Sequence, residues 1–181
     1  MKVTLEQAEE AHRAWLAAFP EMVEHLACQP DYNNPGKFRT VTWTGFERCN
    51  CIENEIRNTE FQSTSGDGAS DMLWECYRAG YRLVNFIHDE VISEIAITTV
   101  EDIMDKIRKL DRIMVDSMSR TLSHVNIKTE ASLMTRWFKE AEEKVDETGC
   151  LMVMTGFDEN GKPHYEPLVA IVEKEQERRT A

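Results

Sequence analysis

The sequence predicts an α+β fold in which a small antiparallel sheet is packed by long helices. Apolar residues recur at helical spacing in three stretches, approximately residues 4–26, 58–79 and 98–114. Between the second and third stretches, two short apolar runs within residues 83–95 flank a polar turn, which is the pattern of a β-hairpin. Alternation of apolar and polar residues over 125–133 predicts one further strand of the same sheet.

Composition places limits on the class of protein. A chain of 181 residues with 41% hydrophobic residues fits one domain with a core. It has no apolar run long enough to span a bilayer, so we expect no membrane partner. Five scattered cysteines indicate a reducing, cytoplasmic setting. The net charge of −12 has the wrong sign for a free-standing nucleic-acid binder, so any basic groove must lie elsewhere.

The N-terminal quarter predicts one interrupted helix followed by a strand. Thr4 is a candidate N-cap for the helix, and Pro20 predicts a break or kink near the preceding residue. Residues 29–36 have the composition of a loop. Residues 38–43 are rich in β-branched and aromatic side chains and predict a strand, closed by residues 44–45.

The second helical stretch, residues 58–79, contains an unusual number of small residues. Gly66 and Gly68 each cost about 1 kcal/mol in a helix, so we expect close approach of another backbone or a ligand to explain them. Ala79 and Gly80 provide the stop signal.

The C-terminal half predicts a helix and then a polar tail. Thr98 or Thr99 caps the helix, and its apolar stripe is predicted to lie in the core. That stripe comprises Val100, Ile103, Met104, Ile107, Leu110, Ile113 and Met114. Residues 158–161 read as a turn. We expect residues 1–154 to form the structured segment and residues 155–181 a polar tail that ends in a solvated or frayed helix.

The polar turn of the predicted hairpin carries His88, Asp89 and Glu90. Two adjacent carboxylates at the edge of a sheet, held by buried flanking strands, suit a hard divalent cation. The alternative is that Asp89 is an ordinary turn residue and that the acidic pair is solvated.

Three segments together carry a resemblance to a known family: residues 58–69, residues 79–90 with the acidic turn, and residues 131–142. In order and spacing they resemble the C-terminal part of family A DNA polymerases, the DNA polymerase I type, in their phage-like form. The resemblance covers about residues 4–154. It implies a palm segment of a DNA-directed DNA polymerase that acts in DNA replication.

The resemblance also implies roles for five residues. Asp89 is similar to a metal-binding aspartate of a two-Mg²⁺ site, Glu90 to its neighbouring carboxylate, and His88 to a contact with the primer end. Asn58 and Gln62 resemble DNA-binding residues. Their spacing of four places both amides on one helix face, where they can donate to minor-groove acceptors that all base pairs share.

Two parts of the family pattern are missing from this sequence, namely the first acidic motif and the fingers helix that grips the dNTP. Residues 31–34 match the first acidic motif at their first two residues only, and we interpret them as a loop. Asn54 stands where the family tends to carry an arginine, with Arg57 displaced. We therefore expect a C-terminal fragment or subunit, in a bacterial or phage-infected cell, that needs an N-terminal polymerase chain or segment, primer–template DNA and dNTP.

Two alternatives remain open. One is a catalytically silent polymerase remnant or a non-catalytic subunit of a DNA complex. The other is a stand-alone metal-dependent phosphodiesterase that uses Asp89 and Glu90, which is disfavoured because no second carboxylate cluster follows a predicted strand.

Overall fold

The computed structural model describes residues 3–25, 27–42 and 44–181, and it confirms an α+β fold with small sheets and helices. The chain divides into two compact units, Met1–Asp67 and Gly68–Ala181. The helices are α1 Leu5–Ala18, α2 Glu21–His25, α3 Glu53–Arg78, α4 Val100–Thr121 and α5 Leu168–Thr180. The strands are β1 Gln29–Pro30, β2 Phe38–Val41, β3 Glu47–Cys51, β4 Arg82–Ile87, β5 Glu90–Glu94, β6 Leu133–Met134, β7 Met152–Phe157 and β8 Pro163–Pro167.

The first helix begins and ends where the sequence predicts. The Thr4 side chain accepts a hydrogen bond from the Gln7 backbone N–H, and the Gln7 side chain accepts one from the Thr4 backbone N–H. This reciprocal capping box satisfies two of the free N–H groups at the helix start. Phe19 is the C-cap before Pro20, and α2 follows as a separate short helix. Leu26, the predicted end of this stretch, lies outside the described residues.

The first sheet is antiparallel with the order β1-β2-β3. β2 confirms the predicted strand up to Val41, whereas Trp43 lies outside the described residues. The prediction that residues 29–36 form only a loop is wrong at its start, because Gln29 and Pro30 pair with β2. The sequence analysis does not predict β3, because its residues are mostly polar; four of its five residues are exposed, and it is a strand through its pairing with β2.

Helix α3 starts five residues before the predicted position. The Ile52 backbone N–H donates to the Glu55 carboxylate at 2.9 Å, which caps the helix start, and Ile56 is buried on the first turn. The helix ends at Arg78 before Gly80, which has a φ of 88° and therefore the left-handed conformation of a helix stop.

The acidic hairpin is a two-stranded sheet of its own. The prediction that it shares a sheet with a strand at 125–133 is wrong, because β4 and β5 pair only with each other among the described residues. In the 125–133 segment, only Leu133 takes part in a strand, β6, which runs parallel to β7. Alternation marks an extended segment with two faces, but it does not choose the pairing partner.

The core of the second unit combines α4 with the C-terminal elements. Thr99 caps α4, with its hydroxyl accepting from the Asp102 N–H at 3.2 Å, as predicted. The buried core residues are Ile103, Ile107, Leu151, Val153, Leu168 and Val172. Residues 155–181 therefore differ from the predicted tail: they complete β7, turn at 158–161 and form β8 and α5.

No helix in the described part of the chain is both long enough and apolar enough to cross a bilayer.

Candidate functional site

The tip of the hairpin is a two-residue turn formed by His88 and Asp89. Ile87 pairs with Glu90 across the turn, so Glu90 is already the first residue of β5. His88 has a φ of 56°. Tight hairpin turns favour a positive φ because it matches the twist of the strands, and histidine tolerates this region better than most residues. The backbone therefore presents His88, Asp89 and Glu90 side by side at the end of the ribbon.

All three tip side chains are exposed, and the strands behind them are not buried. The prediction that buried flanks hold the tip is wrong for this chain: the described residues of β4 and β5 are exposed or half-buried, with Val84 54% exposed. The two strands are joined by their own ladder, and the exposed side chains of Arg82 and Glu94 form an ion pair, 3.0 Å apart, at the end far from the tip. A two-stranded hairpin is marginally stable without a covering surface.

The donors at the tip suit magnesium by their chemistry. Carboxylate oxygens are the protein ligands that Mg²⁺ prefers, and Mg²⁺ is usually bound by one or two carboxylates with water and substrate phosphates. Asp89 and Glu90 provide two such groups on adjacent residues. Within residues 3–25, 27–42 and 44–181, no three His, Cys, Asp or Glu side chains form a metal-binding cluster.

Asn58 and Gln62 lie on one exposed face of α3, as their spacing predicts. Thr59 anchors another face: its hydroxyl is buried, donates to the Glu55 carbonyl at 2.6 Å and accepts from Arg48 Nη1 at 2.9 Å. This anchoring sets the rotation of the helix and leaves the two amides in solvent. They belong to the first compact unit, and the hairpin tip belongs to the second.

Phe61 lies between the two amides in sequence, is 55% exposed, and was not among the predicted site residues. An aromatic ring on the face of Asn58 and Gln62 adds a flat apolar surface beside two hydrogen-bonding groups. Its spacing of three from Asn58 is the signal that would have found it, because residues three apart share a helix face.

The two helical glycines differ in their surroundings. A Cβ at Gly68 would lie 3.0 Å from Met118 Sδ and 3.4 Å from Thr121 Cβ, both on α4. A Cβ at Gly66 would have no atom within 4 Å beyond its own helix backbone and chain neighbours. Close approach therefore explains Gly68, through side chains of α4, and does not explain Gly66.

The loop at residues 31–34 is organised by Asp31, which is buried. Its carboxylate accepts hydrogen bonds from the Asn33 N–H at 2.9 Å, Asn34 Nδ2 at 2.9 Å and the Asn50 N–H at 2.8 Å. The bond from the Asn34 side chain and the backbone bonds lower the pKa of Asp31 against the opposing effect of burial. These contacts give Asp31 a role in the loop and confirm that residues 31–34 are not a strand.

The comparisons with known proteins identify no relative. No family model, no curated protein and no solved structure matches this chain.

Proposed function

We propose that this chain supplies part of the active site of a family A DNA polymerase, working with an N-terminal polymerase chain or segment in DNA replication. The observation that carries the proposal is the hairpin tip, where a two-residue turn places His88, Asp89 and Glu90 together and exposed. A nucleotidyl-transfer site needs carboxylates at a fixed position with open space for a triphosphate and a primer end.

The chain's own residues have distinct roles in this proposal. Asp89 holds Mg²⁺, and Glu90 adds a neighbouring carboxylate that reinforces the negative potential at the tip. His88 donates a hydrogen bond to the primer end and positions it. When bound, Mg²⁺ lowers the pKa of the primer 3′-hydroxyl and balances charge on the triphosphate of the dNTP.

The exposed face of α3 supports the same function. Asn58 and Gln62 carry amide N–H donors, and minor-groove acceptors lie in similar places in every base pair. Donors on a rigid helix can therefore test the shape of a pair without reading its sequence, as a copying enzyme requires. Phe61 would pack against the sugars of the same groove.

The acidity of the chain supports a divided arrangement. With a net charge of −12, this polypeptide has little capacity to neutralise DNA phosphates. In the proposal, the basic surfaces, the first acidic motif and the fingers helix all come from the partner. The partner also covers the exposed strands of the hairpin, as an edge ribbon requires.

The decisive experiment is purification of the tagged chain from its native cells, followed by primer extension with the co-purifying proteins. We expect polymerase activity with the wild-type chain and none above background with Asp89→Asn, at equal recovery of the partner. Asp116→Asn is the matched control, because Asp116 is an exposed aspartate on α4 and not part of the hairpin, and it should retain activity.

Three outcomes would contradict the proposal in different ways. Activity that survives Asp89→Asn belongs to another enzyme. Stable assembly on DNA without any extension indicates the silent remnant or non-catalytic subunit. Metal-dependent cleavage of phosphodiesters by the chain alone, lost in Asp89→Asn, indicates the phosphodiesterase.

A further inference from the structure

The turn between β7 and β8 contains the one asparagine of this sequence that is followed by glycine. Asn160 and Gly161 are both exposed. Among the residues that the structure describes, none hydrogen-bonds to the Asn160 side-chain amide. Asparagine is a thermally labile residue, because the next backbone nitrogen can attack its side-chain carbonyl carbon and close a five-membered ring. Glycine favours this reaction, since it has no side chain to hinder the nitrogen and its backbone is permissive.

The other asparagines and the Asp67–Gly68 pair are less suited to this ring closure. Asn34 precedes Pro35, whose nitrogen carries no hydrogen, and the remaining asparagines precede residues with side chains that crowd the nitrogen. Asp67 and Gly68 lie inside α3, where helical hydrogen bonds fix the backbone. Sequence and position together therefore single out Asn160.

The folded turn keeps the attacking nitrogen occupied. The Gly161 N–H donates to the Asp158 carbonyl at 3.0 Å, and Gly161 has a φ of 73°. The Asp158 carboxylate accepts from the backbone N–H groups of Asn160 and Lys162, both at 2.8 Å. Ring closure requires these bonds to open. Local opening of an exposed turn costs much less free energy than global unfolding.

We propose that Asn160 is a site of spontaneous deamidation and that opening of the β7–β8 turn sets its rate. The Gly161 nitrogen loses its proton to solvent hydroxide and forms a bond to Asn160 Cγ. The bond from Cγ to Nδ2 breaks, and Nδ2 leaves as ammonia. Water then opens the cyclic imide at either carbonyl, which gives aspartate or isoaspartate. The net reaction consumes one water and releases one ammonia.

Both products change the turn. Each adds one negative charge beside Asp158 and Glu159. Isoaspartate also adds one methylene to the main chain, so the spacing that lets Asp158 bond to both Asn160 and Lys162 is lost. We therefore expect the isoaspartate form to have a lower Tm. The proposal rests on this turn alone and does not depend on polymerase activity.

The test is to incubate the full 181-residue chain in neutral buffer, digest samples with trypsin over time and measure peptide masses. Trypsin leaves residues 145–174 as one peptide, because Lys162 is followed by proline. This peptide contains one asparagine and no glutamine, so the mass gain from amide to acid reports on Asn160 alone. We expect the gain to appear first in this peptide, as two products that chromatography separates.

Variants test whether the turn controls the rate. Asp158→Ala removes the acceptor of two backbone hydrogen bonds and should speed deamidation by about 10-fold. Asp146→Ala is the matched control, because its carboxylate accepts from the Thr148 and Cys150 N–H groups in another turn of the same unit. It should change the rate less than twofold. Asn160→Gln should abolish the mass gain, because glutamine would have to close a six-membered ring. Circular dichroism checks that each variant is folded.

Four results would overturn the proposal. No mass gain in residues 145–174 of either wild type or Asp158→Ala would mean that Asn160 does not react. An earlier gain in another peptide would place the principal site elsewhere. Equal rates for wild type and Asp158→Ala would show that opening of the turn is not limiting. Equal acceleration by Asp146→Ala and Asp158→Ala would assign the effect to general loosening of the unit.

Discussion

At the scale of single residues, the backbone at the hairpin tip determines what the side chains can do. His88 occupies a left-handed conformation, so the chain reverses over two residues and Glu90 re-enters the ladder directly opposite Ile87. Asp89 is thus the one carboxylate in the turn itself, while Glu90 is tied to β5. This difference gives the two carboxylates unequal expected roles in the proposed metal site.

Asp89→Asn should reduce nucleotide incorporation by at least about 100-fold in the complex with its partner, because it removes an anionic metal ligand and keeps the shape. Glu90→Gln should cost less. Single-turnover kinetics measure the rate of nucleotide incorporation, and a parallel binding assay measures the affinity for primer–template DNA. Together they distinguish a defect in catalysis from a defect in DNA binding. A larger defect in Glu90→Gln would reverse the assignment within the pair.

Gln62→Ala should lower catalytic efficiency by the equivalent of roughly 1–3 kcal/mol, because a minor-groove acceptor would lose its donor at a desolvated site. The loss should be equal for all four templating bases and should alter extension past mismatches, whose acceptors are displaced. Single-nucleotide incorporation opposite each base measures it. Wild-type rates on both matched and mismatched ends would remove the minor-groove role.

Asp31 provides a pH test of the loop. Its pKa lies below the ordinary value of about 3.9, so the ionised form stabilises the fold above that pH and the contribution is lost as the pH falls through the lowered value. Asp31→Asn places a donor against backbone and amide donors and should lower Tm. The difference from wild type should be largest above about pH 5 and should narrow below about pH 4. If the difference in Tm between Asp31→Asn and wild type did not narrow at low pH, the ionised Asp31 carboxylate would not be what stabilises the loop.

At the scale of elements, helix α3 shows how one sequence feature can have two origins. Gly66 and Gly68 are both helical and both unfavourable by propensity, yet only Gly68 lies against another element, the Met118 region of α4. Substituting each glycine by alanine therefore separates the effect of helix propensity on stability from the effect of packing against α4.

Gly66→Ala should raise the free energy of unfolding by about 0.5–1 kcal/mol, because alanine restricts the unfolded chain and meets no atom within 4 Å. Gly68→Ala should gain less, since its methyl group would press on Met118 Sδ at 3.0 Å. Urea denaturation of the wild type and of both variants gives the free energies of unfolding to be compared. A larger gain for Gly68→Ala would show that Met118 moves without cost.

At the scale of the whole molecule, charge and exposed surface favour function in a complex. The chain carries 33 acidic and 21 basic residues, while apolar side chains on α1, α3 and β4 remain in solvent. A protein with these properties is poorly suited to hold DNA alone and has several surfaces that a partner can cover.

The purified chain by itself should therefore show no incorporation of nucleotide and no binding of primer–template at physiological salt. Extension assays with homogeneous protein, Mg²⁺ and all four dNTPs test the first expectation, and fluorescence anisotropy with labelled DNA tests the second. Primer extension by the isolated chain would refute the division of the active site between two segments.

The sequence by itself determined the features that depend on neighbouring residues. Thr4 and Thr99 begin α1 and α4, Pro20 separates α1 from α2, and the polar turn around Asp89 reverses the chain within the hairpin. Each of these signals acts over one turn of helix or across one tight turn, where caps, proline geometry and hydrophobic spacing are sufficient.

Only the tertiary structure decided which elements share a core. Residues 125–133 alternate like a strand, but β6 is short and pairs with β7, while the hairpin stays a separate ribbon. The C-terminal residues were predicted to form a polar tail, yet Leu168 and Val172 of α5 lie in the same buried core as Ile103 and Ile107 of α4. Conversely, α1 carries a clear apolar stripe and remains exposed. Apolar spacing shows that an element can bury a face, whereas the partner that covers it depends on residues far along the chain, or on another molecule.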